Sequence, residues 1–96
     1  MKYKIREAAY RDLDEIWFYT FQKWSEKQAD TYFYLIIQEI EILSNNPSKA
    51  KRVPITTVDY FFCRALSHYV FFKYDDDTIE IIRILHKMMD FSKHLE

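Results

Sequence analysis

Apolar residues change their spacing along the chain, and each change marks a new element. Lys2-Tyr3-Lys4-Ile5-Arg6 alternates polar and apolar side chains, the two-residue period of a short edge strand with one buried face. From about Ala8 the period lengthens: Leu13, Ile16, Trp17, Thr20, Phe21 and Trp24 recur at intervals of three and four, which stacks them on one helical stripe. Glu7, Asp12, Asp14 and Glu15 crowd the first half of that segment, where the positive end of the helix dipole favours carboxylates. Ser25-Glu26-Lys27-Gln28 has the form of a capping box, so a second helix starts at once. Its seam is Ala29, Phe33, Ile36, Ile40 and Leu43, and Asn45-Asn46-Pro47 stops it. Two antiparallel helices joined this closely predict a hairpin, with Trp17 and Trp24 in its core.

After Pro47 the pattern turns to strands. Arg52 to Ile55, Tyr60 to Leu66, Tyr69 to Tyr74 and Thr78 to Leu85 are rich in aromatic and β-branched residues and predict a meander, with tight turns at Ser67-His68 and Asp75-Asp76-Asp77. Residues 87–96 are polar apart from Met88, Met89, Phe91 and Leu95, as for one short helical turn packing back. The expected fold is α+β in a single domain spanning 1–96: an N-terminal strand, a two-helix hairpin, a mostly antiparallel meander and a short C-terminal helical tail. The chain has no glycine, so turns needing positive φ are expected at Asn45, Asn46 or the triple Asp.

Composition narrows the functional classes. Hydrophobic residues make up 49% of the chain and aromatics 19%, more rings than so small a core can hide, so an exposed contact face is expected. Tyr19, Tyr32 and Tyr34 are its candidates, with Tyr60 beside them. A formal charge of −1 supplies no broad positive field for a phosphate backbone, so sequence-specific nucleic-acid binding is not expected. The charge is uneven: residues 7–41 hold eight acidic and three basic side chains. The lone Cys63 suits a reducing, cytoplasmic setting. The longest apolar run, Tyr32 to Ile37, falls far short of the roughly 18 residues of a membrane span, so neither export nor insertion is expected.

Little of the sequence looks like a reaction centre. His68, His86 and His94 have no metal-ligand spacing, and the chain lacks a second cysteine, so neither a metal nor a cofactor is expected. Without glycine there is no phosphate-cradling loop. Cys63 reads as a small core residue. One grouping carries possible chemistry: Arg64 in one strand, and Arg83 and His86 at the end of the last. Strand alternation would gather them on one side of the sheet, where two cations and an imidazole can polarise a phosphodiester and shuttle protons in metal-free RNA cleavage. The alternative is structural pairing of the arginines with Glu80, Asp90 or cross-strand carboxylates.

Three stretches carry a family resemblance. Asp12-Leu13-Asp14-Glu15-Ile16-Trp17 is followed by Tyr19 and Trp24; Gln28-Ala29 precedes Tyr32; and His68 to Tyr74 precedes Ile82-Arg83-Ile84-Leu85-His86 with Met89-Asp90. Together they resemble the ParE branch of the RelE/ParE toxin superfamily of type II toxin–antitoxin systems, known for plasmid stabilisation. The resemblance implies a toxin that inhibits DNA gyrase or a related topoisomerase by protein contact, without catalytic residues. It also implies a ParD-like antitoxin whose C-terminal segment wraps the toxin; because exposed apolar seams and sheet edges are natural docking sites, the groove between hairpin and sheet is the expected seat for an antitoxin helix or strand. Under it, Tyr19, Tyr32, Tyr34, Tyr60, Arg64, Arg83 and His86 are partner-binding candidates. The RelE branch instead cuts messenger RNA on the ribosome, and there Arg64, Arg83 and His86 become the catalytic candidates. One departure is local: a Gly-Tyr-Arg run is common before the family's central strands, where this chain has Val58-Asp59-Tyr60-Phe61.

Overall fold

Helices must bury an apolar stripe and strands must pair their backbone groups, and the chain meets both demands by laying its hairpin across one sheet. The computed structural model describes residues 2–54 and 58–95. In chain order come β1 (Lys2–Ile5), α1 (Glu7–Lys23), α2 (Glu26–Asn45), β2 (Lys51–Arg52), β3 (Phe61–Ala65), β4 (His68–Tyr74) and β5 (Thr78–His86), with 3-10 turns at Pro47–Lys49 and Phe91–Lys93. The sheet order is β1-β5-β4-β3-β2. The last four strands run antiparallel, whereas β1 pairs parallel with β5, Lys2 opposite Thr78 and Ile5 opposite Ile81. The α+β architecture, the edge position of β1 and the helical turn in the tail follow the sequence pattern.

Two apolar layers hold the sheet. On one face Leu13 of α1 and Ile36 and Ile40 of α2 pack on Val70, Phe72, Ile79, Ile81 and Ile84. On the other, Phe71, Ile82 and Leu85 are covered by Val53, Tyr60 and two tail residues, Phe91 and Leu95. β5 is thus buried on both faces, which accounts for its nearly continuous apolar run. A bulge adjusts it: Phe72 faces Ile81 and Phe71 faces Arg83, so Ile82 is an extra residue that turns toward the second layer.

Several expectations are corrected. β2 is two residues long rather than Arg52 to Ile55, and Ile55 lies outside the described residues. His68 opens β4, and the β3–β4 turn is Leu66-Ser67. Among the described residues, positive φ occurs at Leu66 (61°) and not at Asn45, Asn46 or the Asp run. Asn46 sits at φ −144° because Pro47 restricts the residue before it to extended backbone. Asp75 needs no left-handed step, because its Oδ1 accepts the N–H groups of Asp77 and Thr78. A two-residue hairpin loop does need positive φ, and Leu66 takes it, with the Arg64 Nε–H bracing its carbonyl at 2.7 Å.

The tryptophans are not hairpin core. The buried residues of α1 are Ala9, Asp12 and Leu13, all in its first half, and from Phe21 to its end the helix is exposed. Trp24 is 64% exposed, and Trp17 is half-buried, stacked on Phe21 at 5.2 Å.

Candidate functional site

The site grows out of a mismatch in strand length. β1 ends at Ile5, opposite Ile81, and the Arg6 N–H closes the ladder on the Ile81 carbonyl at 3.0 Å. β5 continues for five residues to His86, so its outer edge has unpaired backbone there. α1 fills part of that edge with Asp12. The carboxylate accepts the Ile84 N–H at 2.9 Å, in the place a neighbouring strand's carbonyl would hold. It also takes both arms of Arg83, Nε at 2.7 Å and Nη2 at 2.8 Å, while Nη1 donates to the His94 carbonyl at 3.3 Å. The Asp12 hydrogen bonds hold the Arg83 guanidinium above its ordinary range, so it stays a cation.

Beyond this clamp the uncovered turns of α1 and the end of the sheet enclose a cleft of about 610 Å³. Tyr19 and Trp24 line it from α1 and Tyr32 from α2, with His68, Arg83, His86 and Met89 on the sheet side. Strand register brings the two imidazoles together: His68 pairs with His86, and their rings meet edge to face at 5.2 Å. The Tyr32 phenol oxygen accepts the Ser67 N–H at 3.1 Å and lies 2.9 Å from His68 Nδ1. Its own proton can point at Nδ1 when His68 is neutral with its proton on Nε2, and the direction of this bond follows the tautomer. Burial, reinforced by His86 and opposed by Asp12, pushes the His68 pKa down to about 4, in accord with that arrangement. His86 Nδ1 accepts the Met88 N–H at 3.2 Å.

Of the seven residues singled out from the sequence, Tyr19, Tyr32, Arg83 and His86 converge on this cleft. Three lie elsewhere. Tyr34 is exposed on α2, its phenol accepting from Gln38 Nε2. Tyr60 is buried in the second layer, 7% exposed, and presents no free face. Arg64 alternates with Cys63 and Ala65, which pack toward the helices, and so it projects from the opposite face. Arg64 therefore does not line the cleft with Arg83 and His86. The arginine pairing is structural for Arg83, but through Asp12 of α1 rather than Glu80 or Asp90. Burial, then Glu39, pushes the Cys63 thiol up to about 11, which leaves it unreactive in its core position.

Comparison with known proteins supplies the context for this geometry. The model of the ParE toxin of the type II toxin-antitoxin system parDE matches residues 3–91. The chain belongs to that family. A Toxin ParE1 of Caulobacter vibrioides is 33% identical over 93 residues, covering 97% of this chain and 96% of its own. Another, from Mycobacterium tuberculosis, is 30% identical over 95 residues, covering 98% and 97%. In fold the chain is similar to a solved chromosomal ParDE system from P. aeruginosa, at a TM-score of 0.79 and 19% identity over 90% of this chain and 95% of that one. As a ParE toxin the chain has the helical hairpin, meander and closing strands that its sequence implied. The most specific stretch of the resemblance, residues 68–90, supplies the sheet side of the cleft of this ParE toxin.

Sequence reasoning missed Trp24, His68, Asp12 and Met89 as members of the cleft. For Trp24 the three-and-four spacing did give the side, since it continues the stripe through Ile16 and Thr20, both of which line the same cleft. What the spacing leaves out is where the sheet beneath the helix stops.

Proposed function

We propose that the chain is a toxin that acts in the cytoplasm by protein contact, binding DNA gyrase or a related type II topoisomerase, and that a ParD-like antitoxin silences it by seating a C-terminal segment in the α1–β5 cleft. The observation that carries the proposal is the make-up of the cleft. Its walls are aromatic, its guanidinium is already engaged by Asp12 and the His94 carbonyl, and one imidazole is tied to Tyr32. Such a surface offers contact area with few uncommitted groups for chemistry, the character of a docking site. Tyr34 and Arg64, exposed outside the cleft, are then candidates for contact with the topoisomerase.

In a supercoiling reaction with purified gyrase, the protein alone should suppress supercoiling and accumulate cleaved DNA, and added antitoxin should reverse both. Unaffected supercoiling without trapped cleavage contradicts the proposal. Expression of the chain alone should arrest growth, whereas a relic that only binds its antitoxin leaves growth untouched.

The His68–His86 pair beside Tyr32 favours a second reading, cleavage of ribosome-bound messenger RNA with Arg64, Arg83 and His86 as catalytic residues. Against it stand the engagement of Arg83 by Asp12 and the separation of Arg64 from the cleft. Translating ribosomes given a defined message decide it: that reading requires A-site cuts that disappear in His86→Ala.

A further inference from the structure

The hairpin has a second concave surface, on the side of α1 turned away from the cleft. At about 100° per residue, Asp14, Trp17 and Phe18 lie opposite the side that carries Asp12, Ile16 and Tyr19. Across the hairpin from them, α2 presents Asp30 and Phe33, and the five side chains enclose a depression of about 270 Å³. Its wall is a fixed piece of aromatic surface. The Trp17 indole stacks nearly parallel on Phe21, meets Phe18 edge-on at 5.6 Å, and is pinned by a hydrogen bond from Nε1–H to Asp30 Oδ1 at 2.9 Å.

Charge decides what fits there. Asp14 and Asp30 are both exposed carboxylates. Among the described residues the Asp14 carboxylate has no hydrogen-bond or ion-pair partner, and that of Asp30 has a neutral indole. Two anions thus flank aromatic faces with no cation between them, in a segment holding eight acidic and three basic side chains over residues 7–41. Such a field repels phosphates and acidic peptides and draws cations. A metal ion is a poor match, because among the described residues no three ligating side chains come together. A guanidinium matches every part: its plane stacks on aromatic faces, its fork of N–H donors engages carboxylates, and it sheds water more readily than an ammonium. The volume lies just below the roughly 300 Å³ at which small-molecule sites begin, the scale of one side chain.

We propose that the depression between Asp14 and Asp30 is a docking site for a single arginine side chain of a partner protein, a contact surface separate from the α1–β5 cleft and independent of what that cleft binds. Trp17 is then the wall the guanidinium meets, and its indole N–H reports occupancy.

The test is an NMR titration of nitrogen-15-labelled protein with the capped tripeptide acetyl-Ala-Arg-Ala-amide and with its citrulline counterpart, which keeps the shape and loses the charge. A Trp24→Phe variant assigns the Trp17 indole signal. Arginine peptide should move that signal saturably with a midpoint of about a millimolar, and citrulline peptide should need at least about tenfold more. Asp14→Asn with Asp30→Asn should abolish the preference while leaving the spectrum folded, since the amide oxygen introduced by Asp30→Asn keeps an acceptor for the indole. Equal titration by the two peptides, a preference that survives both substitutions, or a Trp17 signal unmoved at about ten millimolar arginine peptide would overturn the proposal.

Discussion

At the scale of single residues, Asp12 decides most about this molecule. It is 7% exposed, and three hydrogen bonds, two from the Arg83 guanidinium and one from the Ile84 N–H, compensate the carboxylate's loss of water. Removing the cation leaves a buried anion without its counter-charge, so Arg83→Ala should lower unfolding stability by about 3 kcal/mol, measured by urea denaturation. Asp12→Ala in the same background should recover part of that loss. The sequence showed Arg83 and Asp12 as separate motif members 71 positions apart; only the short β1, which leaves the Ile84 N–H needing an acceptor, joins them. His68 gives a pH dependence. Its pKa is depressed to about 4 from an unfolded value near 6.5, so the unfolded chain binds the extra proton first. The stability from a neutral His68 is therefore complete above about pH 6.5 and is lost as pH falls toward 4. After allowance for its partial exposure the loss is on the order of 1 kcal/mol. His68→Gln should flatten the fall in urea midpoint between about pH 7 and pH 5.

Among elements, the hairpin was the most legible, because its signals are local. Trp24 ends one helix and Ser25 caps the next, its hydroxyl oxygen accepting the Gln28 N–H at 3.1 Å as the capping pattern implied. Ser25→Ala should cost about 1 kcal/mol, read as a drop in melting temperature, because an orphan N–H loses its partner. The strands were legible in kind and less so in extent. β4 and β5 announce themselves by β-branched and aromatic runs, but the bulge at Ile82 and the brevity of β2 depend on partners far away in sequence. The misplaced tryptophans have the same origin: helical spacing orders side chains around an axis and says nothing about how far the neighbouring layer reaches. Tyr60 shows the converse, a ring expected to be free that the second layer covers.

At the scale of the whole molecule, burial on both faces of the sheet lets a chain of 96 residues support exposed aromatics elsewhere. The second layer depends on the tail, where Leu95 is 2% exposed, Phe91 stacks against Phe71 at 5.4 Å and the His94 carbonyl receives Arg83. Truncation after Asp90 should therefore lower stability by about 3 kcal/mol in urea denaturation, the contribution of roughly one and a half large apolar side chains. With that layer in place, Tyr19, Trp24, Tyr32 and the two histidines form the wall of the cleft proposed as the antitoxin's seat, and hot-spot energetics assign most of such a contact to its rings. The decisive measurement is calorimetric titration of the protein with the C-terminal segment of the proposed ParD-like antitoxin, comparing Trp24→Ala with Ile42→Ser, an exposed α2 position outside the cleft. Binding weakened by about thirtyfold or more in Trp24→Ala and unchanged in Ile42→Ser is the expected result; equal affinity for both variants and the unaltered chain would contradict the account.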